Sequence, residues 1–150
     1  MTLIDKKKTI SILNFGDITQ IIKNVVESNE WQTLQEKFNY SSTILVVGHG
    51  GNLAIADHVA VDITRLTKYK KSTICPGSAI LGTSYINDTS FDEWMAYWLR
   101  SLINTLDTKK TLIIGISSSG KSNDISRLFE EAKKHNICTS LITAKPSESI

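Results

Sequence analysis

Four short runs of aliphatic and β-branched residues punctuate the chain: Thr43 to Val47, Ser72 to Cys75, Lys110 to Ile116 and Ile137 to Thr143. Runs of this length and composition predict buried strands. Between them apolar residues recur at intervals of three and four, the spacing of a helix with one buried face. Leu53, Ala56, Ala60 and Ile63 mark such a helix over 53–66, and Trp94, Met95, Trp98, Leu102 and Leu106 mark another over 91–106. A third runs from Asn123 to His135, and Ser78 to Tyr85 reads as a short helix or a turn. Asn87 to Ser90 reads as a loop. Ahead of the first strand, Ile21, Ile22, Val25, Val26, Trp31, Leu34 and Phe38 predict one long helix over 18–38, with Asp17 as its N-cap.

Strands alternating with helices predict a parallel sheet, because parallel neighbours need crossover connections. The expected fold is therefore an α/β/α sandwich of three layers, flavodoxin-like in strand order, with residues 1–40 as a helical arm and 41–150 as the core. In such sheets ligands bind at the carboxyl ends of the strands. Two glycine-rich loops stand there, Gly48-His49-Gly50-Gly51-Asn52 and Gly115-Ile-Ser117-Ser118-Ser119-Gly120-Lys121-Ser122.

Composition adds little and excludes several classes. Hydrophobic residues make up 41% and charged residues 21%, and 17 basic against 15 acidic residues give a net charge of +2. That is an ordinary globular balance, neither a disordered tail nor a strongly basic nucleic-acid binder. No apolar run approaches the ~20 residues of a membrane span. No apolar segment follows Lys6 to Lys8, so the start does not read as a secretory signal. Cys75 and Cys138 lie far apart, and the expectation is two buried, reduced thiols in a cytoplasmic protein.

The second loop fits the nucleotide pattern G-x-x-x-x-G-K-[ST], between a strand and a helix. A phosphate-loop NTPase also needs a strand ending in Asp to hold magnesium, and none is visible. The physics of phosphate binding holds for any phosphorylated ligand: a helix N-terminus presents N–H groups to an anion, and serine hydroxyls add donors. The first loop fails the dinucleotide pattern, since Leu53 stands where the third glycine belongs. His58 and Asp62 follow it one helical turn apart, a spacing that suits a surface pair, acid–base work or two metal ligands.

Three segments together resemble the phosphoheptose isomerase family of sugar isomerase (SIS) domains. The family's G-N-G-G-S and A-x-H-x-A-x-E are matched by Gly48 to Asn52 and by Ala56 to Asp62. Its N-D-x-x-F is matched by Asn87-Asp88-Thr-Ser-Phe91, and its G-I-S-T-S-G-N-S by Gly115 to Ser122. The resemblance implies an aldose–ketose isomerase acting on sedoheptulose 7-phosphate through an enediol, as a homotetramer with sites at subunit interfaces. It implies that Ser117, Ser118, Ser119 and Ser122 hold the phosphate and that Asp88, His49, Gly50, Gly51 and Asn52 contact the sugar. Asp62 falls on the family's catalytic Glu, one methylene shorter. His58 falls on a His that is a metal ligand in zinc-bearing members, so zinc on His58 and Asp62 is the implied cofactor. The family continues with a fifth strand and a long helix bearing a Gln metal ligand and a catalytic His, which nothing in this chain matches. A second reading is therefore a sugar-phosphate-binding or scaffolding SIS protein without turnover, and a third is the phosphate-loop NTPase. The partners expected are a sugar phosphate and further copies of the chain, with no membrane and no direct nucleic-acid contact. The oligomer is expected to be held by the first helix and by 91–106.

Overall fold

The computed structural model describes residues 15–144. The Lys6 to Lys8 cluster and the polar end past Ala144 lie outside the described residues. The chain divides into two compact units, residues 1–35 and 36–150.

In the first unit one expected helix is two. Helix α1 spans Phe15–Val26, and α2 spans Asn29–Tyr40 and continues into the second unit. The break falls at Ser28. Its hydroxyl accepts the Trp31 N–H (3.1 Å) and donates to the Val25 carbonyl (2.8 Å), so one side chain ends α1 and caps α2. Asp17 is not an N-cap but sits inside the first turn of α1, where a negative charge still complements the helix dipole. Ile18, Ile21, Ile22, Val25 and Val26 of α1 are all exposed.

The second unit carries the sheet. Strands β1 (Thr43–Gly48), β2 (Ser72–Ile74), β3 (Thr111–Ile116) and β4 (Cys138–Ile142) pair in parallel, in the order β2-β1-β3-β4. This is the flavodoxin-like order expected. Helix α3 (Gly51–Leu66) joins β1 to β2, and α6 (Asn123–Lys134) joins β3 to β4. The two crossovers run in opposite directions across the sheet. Since such connections are right-handed, they place α3 and α6 on opposite faces.

The strand residues obey this division. Leu45, Val47 and Ile113 enter a core with Trp94, Met95, Trp98 and Leu99 of α5 (Trp94–Leu102) and Ile125, Leu128 and Phe129 of α6. Ile44, Val46, Leu112 and Ile114 alternate with them, point to the other face, and are equally buried. On α3, which packs on β1 and β2, Ala56 and Ala60 are the buried residues, small enough for close approach.

Several boundaries differ from expectation. Asn87 and Asp88 are not loop residues but the last residues of α4 (Ala79–Asp88). Helix α5 is shorter than 91–106, giving way to a 3-10 turn at Ile103–Thr105. Its Trp94, Met95, Trp98 and Leu99 pack into the chain's own core. The two cysteines are free but not both buried. Cys75 is half-buried and Cys138 is exposed, because β4 is the outer strand of the sheet among the described residues. Burial next to Asp57 pushes the Cys75 thiol up to about 11, which keeps it protonated and unreactive.

Candidate functional site

Between β1 and β3 the strand order reverses, the place where sheets of this kind bind ligands at the carboxyl ends of the strands. Both glycine-rich loops follow these two strands. Gly48 turns the chain so tightly that a Cβ would stand 2.8 Å from the Asn52 backbone, so only glycine fits. Gly50 follows with φ +51° as the N-cap of α3. The turn delivers Asn52 to the second loop, where its amide donates to Ser118 Oγ at 3.2 Å.

The second loop is organised by its own hydroxyls. Ser117 Oγ lies 3.0 Å from Ser122 Oγ and accepts the Gly120 N–H at 3.1 Å, while Ser119 Oγ accepts the Lys121 N–H at 3.2 Å. The Ser117 N–H donates to the carbonyl of Ile142 at the end of β4 (3.0 Å). Ser122 is the N-cap of α6, yet its hydroxyl turns to Ser117 rather than capping the helix. The loop therefore sets clustered hydroxyls at a helix N-terminus, the arrangement that receives a phosphoryl group. Gly115, first residue of the nucleotide pattern, lies within β3. A Cβ there would stand 3.0 Å from Ile125 and 3.1 Å from Phe129, so it is small to let α6 approach.

His49 reaches from the first loop to α6. Its Nε2 donates to Asp124 Oδ2 at 2.5 Å, and its ring stacks on Phe91 with centroids 5.7 Å apart and planes inclined by 27°. Asp124 is fully buried in the first turn of α6. It also accepts the Trp94 indole N–H at 3.0 Å and the Ile125 N–H at 3.0 Å. Hydrogen bonding to Asp124 raises the His49 pKa above its ordinary value, against the opposing effect of burial.

Asp124, Phe91 and Trp94 were not among the site residues expected from sequence. Phe91 was visible as the last letter of N-D-x-x-F. Asp124 had a fainter signal: it shares the apolar stripe of α6 with Leu128 and Glu131, and an acid on a buried stripe needs partners.

The other expected residues are not all gathered here. Asp88 ends α4, three residues before Phe91, and accepts from its neighbour Asn87 at 3.4 Å. Asp62 lies ten residues along α3 from Asn52, about 15 Å of helix rise from the loops. It pairs with His58 at 3.3 Å and Arg65 at 3.4 Å on an exposed face. A zinc site takes three or four ligands. His58 and Asp62 supply two, and among the described residues no group of three His, Cys, Asp or Glu could hold a metal ion. The residues present do not make up a zinc site. Strands β1 to β4 end in Gly48, Ile74, Ile116 and Ile142, so no strand-end acid stands ready for magnesium.

An α/β/α sandwich of this order, with a serine loop and a glycine loop facing each other across the switch point, resembles a sugar isomerase (SIS) domain. Within that class, the chain resembles the phosphoheptose isomerase family. It is 27% identical over 141 residues to the phosphoheptose isomerase of Thermodesulfovibrio yellowstonii, covering 91% of this chain and 65% of that protein. To the phosphoheptose isomerase of Buchnera aphidicola it is 26% identical over 155 residues, covering 95% of this chain and 78% of the other. The Helicobacter pylori enzyme is 31% identical over 104 residues, or 67% of this chain and 52% of its own. Solved phosphoheptose isomerase structures from Neisseria gonorrhoeae and Francisella tularensis share the fold, with TM-scores of 0.66 and 0.67 at 23% and 18% identity. They match 83% and 85% of this chain, which spans 66% and 70% of theirs. No family model matches the chain.

Proposed function

We propose that the chain binds a sugar phosphate between the two loops at the carboxyl ends of β1 and β3 and interconverts its aldose and ketose forms, with sedoheptulose 7-phosphate as substrate. The observation that carries this reading is the facing pair of loops, joined by the Asn52–Ser118 hydrogen bond at the N-terminus of α6. Ser117, Ser118, Ser119 and Ser122 receive the phosphoryl group. Asn52, the backbone of Gly50 and Gly51, and Asp88 hold the sugar. Similarity to phosphoheptose isomerases supports the assignment.

Asp62 is the proposed base, and its position on α3 ties that role to assembly. Ten residues from the loop of its own chain, it serves a site completed by another subunit. The exposed apolar face of α1 supports a homo-oligomer, a tetramer by the resemblance. No helix among the described residues is long and apolar enough to cross a membrane, and a cytoplasmic location belongs to the same proposal.

The test is incubation with sedoheptulose 7-phosphate and separation of the heptose phosphates formed. Appearance of the aldose supports the isomerase. A ligand that raises the melting temperature without being converted identifies the non-catalytic binding protein instead, a reading favoured by the distance of Asp62 from the loops. Equal stabilisation by ATP with magnesium turns the serine loop to nucleotide.

A further inference from the structure

We propose that His49, held by Asp124, is an acid–base group of this site, exchanging protons with the two sugar oxygens that trade places as carbonyl and hydroxyl. The inference rests on the isomerase reading and adds to it a residue that the family motif does not supply, since the motif has Asn where His49 stands.

The geometry is that of an imidazole oriented for proton transfer. Asp124 Oδ2 fixes Nε2 as the nitrogen that carries a proton in both charge states. The proton that comes and goes is then the one on Nδ1. Among the described residues Nδ1 has no hydrogen-bond partner, and the side chain keeps 32% of its surface exposed. The orienting carboxylate is buried and is itself fixed by the Trp94 indole and the Ile125 N–H. Phe91 holds the face of the ring. This is the base-and-orienter arrangement that makes histidine an effective proton carrier. It stands at the mouth of the two loops proposed to hold the sugar phosphate, three residues from Asn52.

Asp124 faces the imidazole from α6. The neighbours from the 91–94 segment, Phe91 and Trp94, are uncharged, and no other ionisable group of the described residues acts on it. The hydrogen bond to Asp124 favours the imidazolium form.

The step balances. As the base takes the proton from C1 of the ketose, the imidazolium Nδ1–H protonates the C2 carbonyl oxygen, giving the enediol and a neutral ring. The ring then takes the proton of the C1 hydroxyl as the C1 carbonyl forms, and the base returns its proton to C2. His49 ends as it began.

The test uses the full chain with sedoheptulose 7-phosphate. His49→Asn should lower kcat by about 10²-fold or more, the worth of a general acid–base group, while the dissociation constant changes less than about threefold. His49→Gln keeps a donor for Asp124 and guards against a folding defect; it should lose as much. Asp124→Asn should move the basic limb of the kcat–pH profile to lower pH, because the imidazolium loses its paired charge. On the wild type, the His49 ring resonances should shift when the sugar phosphate is added. Wild-type turnover that survives His49→Asn within threefold overturns the inference and leaves the isomerase standing. So does a loss confined to binding, or a ring that does not sense the ligand. A wild type that binds the sugar phosphate and never converts it overturns both.

Discussion

Glu131 shows how one residue concentrates the electrostatics of the fold. Its side chain is 7% exposed, yet it meets Arg100 at 3.0 Å, Lys134 at 2.9 Å and His135 at 3.3 Å. Arg100 leads in lowering its pKa to about 2, with Lys134 and His135 assisting against burial. A carboxyl depressed in the folded state contributes stability that is present above the ordinary carboxylate range and is lost as pH falls toward 2. Glu131→Gln should therefore cost roughly 1–3 kcal/mol near neutrality. The gap to the wild type should narrow as pH falls below about 4.5 and close only near pH 2, which thermal melts across that range will measure. His135 belongs to this cluster. His49 has the opposite sign. Its raised pKa gives stability that is full below about 6.5 and is lost as pH climbs through the folded value.

At the scale of elements, the sheet was legible in the sequence because its signals are local. β1 and β3 are β-branched runs buried on both faces, and each ends in glycine or serine turns whose backbone demands are visible in the residue type. The His49–Asp124 pair was not legible, because it joins residues 75 apart and exists only once β1 and α6 are adjacent. Asp62 was legible as a motif letter, but a motif does not state how far a helix carries a residue from its own loop. The break between α1 and α2 had a signal that the apolar periodicity masked: Ser28, three residues before Trp31. Its role gives an expectation. Ser28→Ala should cost about 0.5–2 kcal/mol of helix stability, and Ser28→Asp, which also caps, should recover most of it. Circular dichroism melts of the two variants will separate them.

For the whole molecule the open surface is the apolar face of α1. Ile18, Ile21, Ile22, Val25 and Val26 recur at helical spacing, and each is between 42% and 57% exposed. A solvated face would be polar at most of these positions. Light scattering at micromolar concentration should find a dimer or tetramer, and Ile22→Glu with Val25→Glu should dissociate it, since two charges in an apolar contact are costly to bury. A monomeric wild type would remove the shared sites on which the role of Asp62 depends.

The hydrogen bond from the Ser117 N–H to the Ile142 carbonyl ties the first serine of the loop to the last residue of an outer strand. Strand β4 bonds to the sheet along one side only among the described residues. Local opening that peels it away must also release Ser117. A ligand that fixes the serine loop therefore raises the cost of that opening by mass action. Amide hydrogen exchange should slow along 138–142 when phosphate or a sugar phosphate is added, though no residue of that strand need touch the ligand. The rim of the sheet would then serve as a reporter of occupancy.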